Sequence, residues 1–564
     1  MRTIIIGFLA AVAIVLALWY FLHPQHATLV LTNGVVHTVD DSMHTVEAIA
    51  IEGDRIVGLG TTKEIMNGFT ADEVIDLGGK AVYPGFTDAH AHLEGLGIAM
   101  MTLDVSTDTA IADIRERVLR EARRTGGKGW VRGRGWDQNR WAGKQFPTSS
   151  DLGAGELTAP VFLVRIDGHA AWVNAHVLDL AGITAATPDP PGGKILRNPD
   201  GTPTGVLLDN AIDLVRRIIP PPTREERMHA VRLAVDECAR VGLTGVHDMG
   251  VDAELIGIYQ ELEREGRLPF RVYAAVDGPG AFMDSMLVRG PIIGDASARL
   301  TVRAVKLYAD GALGSRGAAL IEPYTDDPGN RGITMQSSSV LEALVQSAVK
   351  AGFQVCTHAI GDRANAQVLD AYERAIHDAG PGKDLRLRIE HAQVLAPVDI
   401  PRFARLGVIP SMQPTHCTSD MPWAGERLGP VRAQLAYAWR ALRDAGSIIP
   451  AGSDFPVERP SPLLGFASAV SRQDAGGFPA GGWNPGQCMS RPEALQAFTR
   501  WAAYAAFRED AYGSIEAGKI ADLTVLGRDI MTAPVDSIRS VPVSMTVVGG
   551  TIVSPVPGVA PAAR

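Results

Sequence analysis

Ala81-Val-Tyr-Pro-Gly-Phe-Thr-Asp-Ala-His-Ala-His92 is an apolar, extended run that ends in two histidines one residue apart. Side chains two apart on a strand share a face, so the imidazoles of His90 and His92 are directed the same way. Ala89 and Ala91 are small and leave room for both rings to converge. Two neutral imidazoles suit zinc or a similar divalent metal. An isolated His-x-His is a weak signal, read as readily as two histidines with no ligand, and its weight depends on the rest of the chain.

Four further apolar runs end in residues able to bind a metal. Leu300 to Gly311 carries Lys306, Phe353 to His358 ends in His358, Leu387 to His391 ends in His391, and Ile448 to Asp454 ends in Asp454. Helix-like stretches lie between them, among them 338 to 352 and 362 to 379. Apolar runs alternating with amphipathic helices predict βα units and a parallel sheet. Eight strands can be placed, near 81–88, 243–248, 270–276, 301–307, 354–358, 386–391, 408–413 and 448–453. In a closed (β/α)8 barrel the C-terminal ends of all strands share one mouth, so residues distant in sequence meet there. The six candidate ligands fall on the first, fourth, fifth, sixth and eighth strands.

Seven stretches carry a resemblance: PGFTDAHAHLEGLG (84–97), DGHAAWVN (167–174), VKLYADGALGSRGAAL (305–320), THAIGDRAN (357–365), IEHAQ (389–393), SMQPTHCTSDMPWA (411–424) and AGSDFPVE (451–458). On these the chain resembles the amidohydrolase superfamily, within it the family 3, YtcJ-like branch that includes N-substituted formamide deformylases. The resemblance implies a metal centre built from His90, His92, Lys306, His358, His391 and Asp454, with two zinc ions expected and manganese, iron or cobalt also compatible with the donors. A protonated lysine would be repelled by such ions, whereas a carbamate formed on Lys306 with carbon dioxide is an anion with two oxygens that can bridge them. The implied activity is hydrolysis of amide-type carbon–nitrogen bonds outside peptides by a metal-activated hydroxide, with Asp454 as general base and acid. The same hydroxide would serve esters, lactones or cyclic imides, and a non-catalytic barrel that only binds is the alternative from another class.

His169 and Trp172 in DGHAAWVN, and Gln413 and His416 after the seventh strand, are the candidate substrate contacts. His247 and Asp248 after the second strand are weaker candidates, and Cys356, two residues before His358, reads as core rather than nucleophile.

Residues 26–84 and 510–555 read as short, glycine-broken strands. The resemblance implies one β-sandwich built from both chain ends, although spacing alone permits two separate β modules. Residues 85–509 hold the barrel, interrupted at about 100–236 by a segment too long for an ordinary βα connection. That segment is expected to be a subdomain covering the mouth, in which Trp130, Trp136, Trp141 and Trp172 could form an aromatic lid, although scattered tryptophans more often form core.

A net charge of −10 argues against nucleic acid as a partner and leaves a small molecule as the expected substrate. The four cysteines show neither CxxC nor framework spacing. Residues 3–22 are free of charge and long enough to cross a bilayer, with Arg2 before them and Trp19, Tyr20 and Phe21 at their end. Residues 1–25 are therefore expected to be an uncleaved membrane anchor with the catalytic part outside the cytoplasm, in a periplasmic position. The Pro/Ala-rich tail from Pro555 to Arg564 is expected to be disordered.

Overall fold

The structure, a computed structural model, describes residues 24–555 apart from 125, 128, 139–140, 154–156, 166–169 and 191–192. The chain divides into two compact units, one of residues 1–93 and 234–564, the other of residues 94–233.

In the first unit seven parallel strands follow one another around a nearly closed barrel. They are β1 (Phe86–Ala91), β2 (Leu243–Val251), β3 (Arg271–Asp277), β4 (Leu300–Tyr308), β5 (Gln354–Ala359), β6 (Arg388–His391) and β7 (Ile409–Ser411). The expected helices are present at Ser338–Lys350 and Asp362–Ala379, the first capped by Ser337, whose side chain accepts from the Val340 amide. Register sets the ligand ends side by side: Tyr308 lies opposite His358, and Ala359 opposite His391.

Two expected strands need correction. The run 81–88 is two strands in two sheets: Ala81–Pro84 pairs antiparallel with Leu523–Leu526 in the terminal β-sheet, and only β1 enters the barrel. The chain changes sheets at Gly85, where a Cβ would come within 2.2 Å of the Thr244 hydroxyl, so no larger side chain fits. The eighth position, 448–453, is no continuous strand. It makes one parallel bridge, Met412 to Ala451, and closes against β1 through Ala89 N to Ala451 O (3.0 Å) and Asp454 N to His90 O (2.8 Å). Gly452 permits that approach, since a Cβ there would lie 2.5 Å from the His90 nitrogen and 2.6 Å from the Asp88 carboxylate. Gly452→Ala is expected to destabilise the protein by about 1–3 kcal/mol, the usual cost of overpacking, as read from the thermal midpoint.

Both chain ends build the two remaining sheets of this unit. One has four strands in the order Arg55–Gly60, Ala48–Glu52, Gln25–Thr32 and Phe69–Asp76. The other has six, from Thr551–Ser554 through Val543–Val548, Leu523–Leu526, Ala81–Pro84 and Val35–His37 to Thr45–Val46. Leu29, Leu31, Ile49 and Ile51 of the first pack with Val82, Leu523, Val525 and Val547 of the second in one core. Removal of these aliphatic faces from water is what ties the termini together.

The second unit has its own six-stranded sheet, from Gly193–Arg197 to Leu103–Asp104, and the helix Ile111–Arg124. Trp136, Trp141 and Trp172 are buried together in its core, and Trp130 packs against a second cluster of the same unit. Of the two readings of these tryptophans, the structure shows the core.

Among the described residues no helix is long and apolar enough to cross a membrane. Residues 3–22, assigned above to a membrane span, lie outside the described residues, as does most of the tail expected to be disordered. The membrane-anchored, extracytoplasmic expectation thus finds no support and is withdrawn.

Candidate metal centre

His90, His92, Lys306, His358, His391 and Asp454 come together at the C-terminal ends of the barrel strands. The rings of His90 and His391 lie 4.7 Å apart between centroids, and those of His391 and His358 4.6 Å. Asp454 Oδ1 is 3.2 Å from His92 Nε2 and 3.5 Å from His90 Nε2. Lys306 Nζ is 3.2 Å from His90 Nε2, and the side chain is only 1% exposed.

Backbone conformation contributes to the convergence. Asp454 has φ +59° and His391 φ +72°, a left-handed region that costs an ordinary residue about 1–3 kcal/mol and persists only where surrounding structure enforces it. On a regular strand Glu390 and His391 would face opposite ways. The positive φ lets both reach His90, Glu390 by hydrogen bond and His391 by ring contact.

The donor set fits a metal. His92 Nδ1 lies 2.8 Å from the Met249 carbonyl, which only accepts, so this nitrogen carries the proton. His391 Nδ1 meets Gln413 Oε1 at 2.7 Å, and His90 Nδ1 meets Glu390 Oε2 at 2.5 Å. Each neutral ring then presents an Nε2 lone pair. For His92 that lone pair confronts a carboxylate oxygen, an arrangement of two acceptors that a proton or a cation between them satisfies. His358 Nε2 is buried without a hydrogen-bond partner among the described residues. Two groups, His90, His92 and Asp454, and His391, His416 and Asp454, place one ligand atom each within 4.8 Å of the others.

Electrostatics favours the metal-binding protonation states of His90, His358 and His391, whereas Asp454 raises His92 above its ordinary value when no cation lies between them. Burial, assisted by the Lys306 charge, pushes His90 down to about 4 and His358 to about 3, and burial holds His391 well below its ordinary value. Burial also lowers Lys306. Asp454 stays well below the usual carboxylate range because its contacts with His92, His90 and His391 outweigh its own burial.

The remaining candidates separate. His416 reaches the centre from the first turn of the helix Pro414–Arg432, its ring stacked on His391 at 5.9 Å and its Nε2 3.7 Å from Asp454 Oδ2. Gln413, expected to touch substrate, instead accepts from His391 and is 3% exposed, so its amide is already engaged. Trp172 is fully buried in the core of the second unit, its indole N–H donating to the Thr148 carbonyl, and offers no face to a ligand. His169 lies outside the described residues. Asp248 accepts from the Leu93 amide and from Tyr259, His247 accepts from Arg388, and Cys356 is core, its thiol pushed up to about 12 by burial.

Several supporting residues escaped the sequence reading. Asp88 binds the Ser453 hydroxyl (2.6 Å) and amide and the His90 amide, joining the two ends of the barrel. Asp310 accepts from the amides of Ala319, Ile360 and Gly361 and so fastens the loops after β4 and β5 to each other. Glu390 and Arg388 form a fully buried ion pair beneath His90. The acidic partners sit next to the motif histidines in TDAHAH and IEH, the one signal that marked them.

Comparison with known proteins gives a family. The model of the amidohydrolase family matches residues 73–554. A putative amidohydrolase, YtcJ, of Bacillus subtilis is 34% identical, covering 92% of this chain and 98% of its own. The N-substituted formamide deformylase of Arthrobacter pascens is 32% identical, over 94% of this chain and 98% of its own. Among solved structures, a metal-dependent hydrolase from Pyrococcus furiosus superposes with a TM-score of 0.73 at 29% identity, covering 89% of this chain and 100% of its own.

Proposed function

The chain belongs to the amidohydrolase family and is a hydrolase, and from that premise we propose that it cleaves amide-type carbon–nitrogen bonds outside peptides. The ligands would be His90, His92, Lys306, His358, His391 and Asp454, holding divalent metal, two zinc ions in the assignment preferred here. When bound, the metal supplies a water that ionises near neutral pH and a Lewis acid for the substrate carbonyl oxygen. Lys306 is buried and among the described residues makes no ion pair with a carboxylate, so its amine is placed to add to carbon dioxide, lose one proton and become an anionic carbamate. Asp454 accepts the proton of the attacking water and passes it to the leaving nitrogen. His416, whose buried Nε2 makes no hydrogen bond among the described residues, is placed to meet the substrate beside Asp454.

The observation that carries this reading is the set of imidazoles whose Nδ1 positions are tied off, leaving Nε2 lone pairs around one buried carboxylate. Similarity to a formamide deformylase makes N-substituted formamides the first substrates to try. Elemental analysis of purified protein should find bound divalent metal that His90→Ala diminishes together with turnover. Metal-free wild type, with His90→Ala equally active, would remove the proposal. Cleavage of esters or lactones with no amide cleaved would keep the site and change the bond.

A further inference from the structure

The geometry points to Glu390 as the positioning residue for His90, and to Arg388 as the strut that holds Glu390, so that the pair sets metal affinity at this centre. The inference rests on His90 being a ligand. Glu390 is fully buried, and its oxygens are engaged with two partners: Oε2 with His90 Nδ1 at 2.5 Å, Oε1 with Arg388 Nε at 2.8 Å, and Oε2 again with Arg388 Nη2 at 3.1 Å. Arg388, equally buried, spends its other donors on three further strands. Nη2 reaches the Ala89 carbonyl on β1 (2.6 Å) and the Ser411 hydroxyl on β7 (2.9 Å), and Nη1 reaches His247 Nδ1 on β2 (2.9 Å). With its own place on β6, the guanidinium is fixed to four strands of the barrel.

A buried ion pair gains little stability over apolar side chains of the same volume. The bond to His90 supplies the missing purpose. An anionic acceptor keeps the proton on Nδ1, aims Nε2 at Asp454 and Lys306, and makes that nitrogen a stronger donor to a cation. The other two tied-off rings lack this help. His92 rests on a backbone carbonyl and His391 on a neutral amide, so His90 alone of the three is backed by a carboxylate, itself clamped by an arginine.

The test uses the holoenzyme. Zinc affinity is measured by competition with a chromophoric chelator, and the ligand field by the absorption bands of cobalt-substituted protein. Glu390→Gln retains shape but gives His90 a neutral partner, and is expected to weaken zinc by about 10- to 100-fold and to move the cobalt bands. Glu390→Asp keeps the charge beside Arg388 while withdrawing from His90, and is expected to shift both readouts the same way if the glutamine variant does not fold. A folded variant of either kind with wild-type affinity and unchanged cobalt bands overturns the inference. His90→Ala separates the levels: metal lost there but held normally by the Glu390 variants removes only the positioning role, whereas metal held normally by His90→Ala removes the ligand assignment beneath it.

Discussion

Asp454→Asn should lower kcat by about 100- to 10,000-fold, the usual contribution of a positioned acid–base group. Asparagine keeps the size of the side chain and one oxygen, but it cannot take up a proton. Asp454 Oδ1 already faces His92 and His90, and Oδ2 faces His416, so the carboxylate lies where ligands and substrate would meet. Its low affinity for protons follows from those neighbours, and it is ionised throughout the neutral range. The assay is run in excess zinc, with bound metal measured in parallel, so that weaker binding does not pass for slower chemistry. Because the proton transfer belongs to the transition state, kcat and kcat/KM should fall together with KM little changed. A variant that keeps more than about a tenth of kcat at full metal occupancy would leave Asp454 a ligand and nothing more.

The candidate ligands were legible because each lies at or near the end of an apolar run, and a parallel barrel brings such ends to one mouth. His90 and Glu390 are 300 residues apart, and no local pattern announces their contact. Leu387-Arg-Ile-Glu-His391 is buried along strand β6 on both faces, and Arg388 pairs with Glu390 inside the barrel, a contact that the run alone does not announce. Trp172 misled for the opposite reason. It lies in a motif shared with the resembling family, yet its strand, Ala170–Val173, is paired on both sides and buried along its length. The strand 81–88 was read as continuous because Pro84-Gly85 interrupts it without a polar residue, and only Thr244, brought in by β2, shows why the chain must change sheets there.

Metal-stripped protein should lose stability as pH falls from about 6 to about 4. Burial, with the nearby cations, holds His90 at about 4 and His358 at about 3, and puts His247 and His391 well below their ordinary value of 6.5. As pH falls through 6.5 the unfolded chain takes up protons at these rings, and at His37, which burial also lowers, before the native state does. Two buried carboxyls work in the other direction: burial raises Asp88 and Asp310 to about 7, so the native state gains two protons that the unfolded chain excludes until far lower pH. His92, held above its ordinary value by Asp454 despite its burial, adds to the native uptake near pH 6.5. The excess of protons on the unfolded state is small at pH 6.5, where its histidines are half-protonated, and grows toward two near pH 5, so stability falls with pH and falls faster below about pH 6. Denaturant midpoints of chelator-treated protein at pH 6 and 5 measure this directly, and a flat or rising trend would contradict the neutral, buried state of these rings. Zinc should offset the loss at pH 6.5 more than at pH 5.5, because metal and protons compete for the same nitrogen lone pairs.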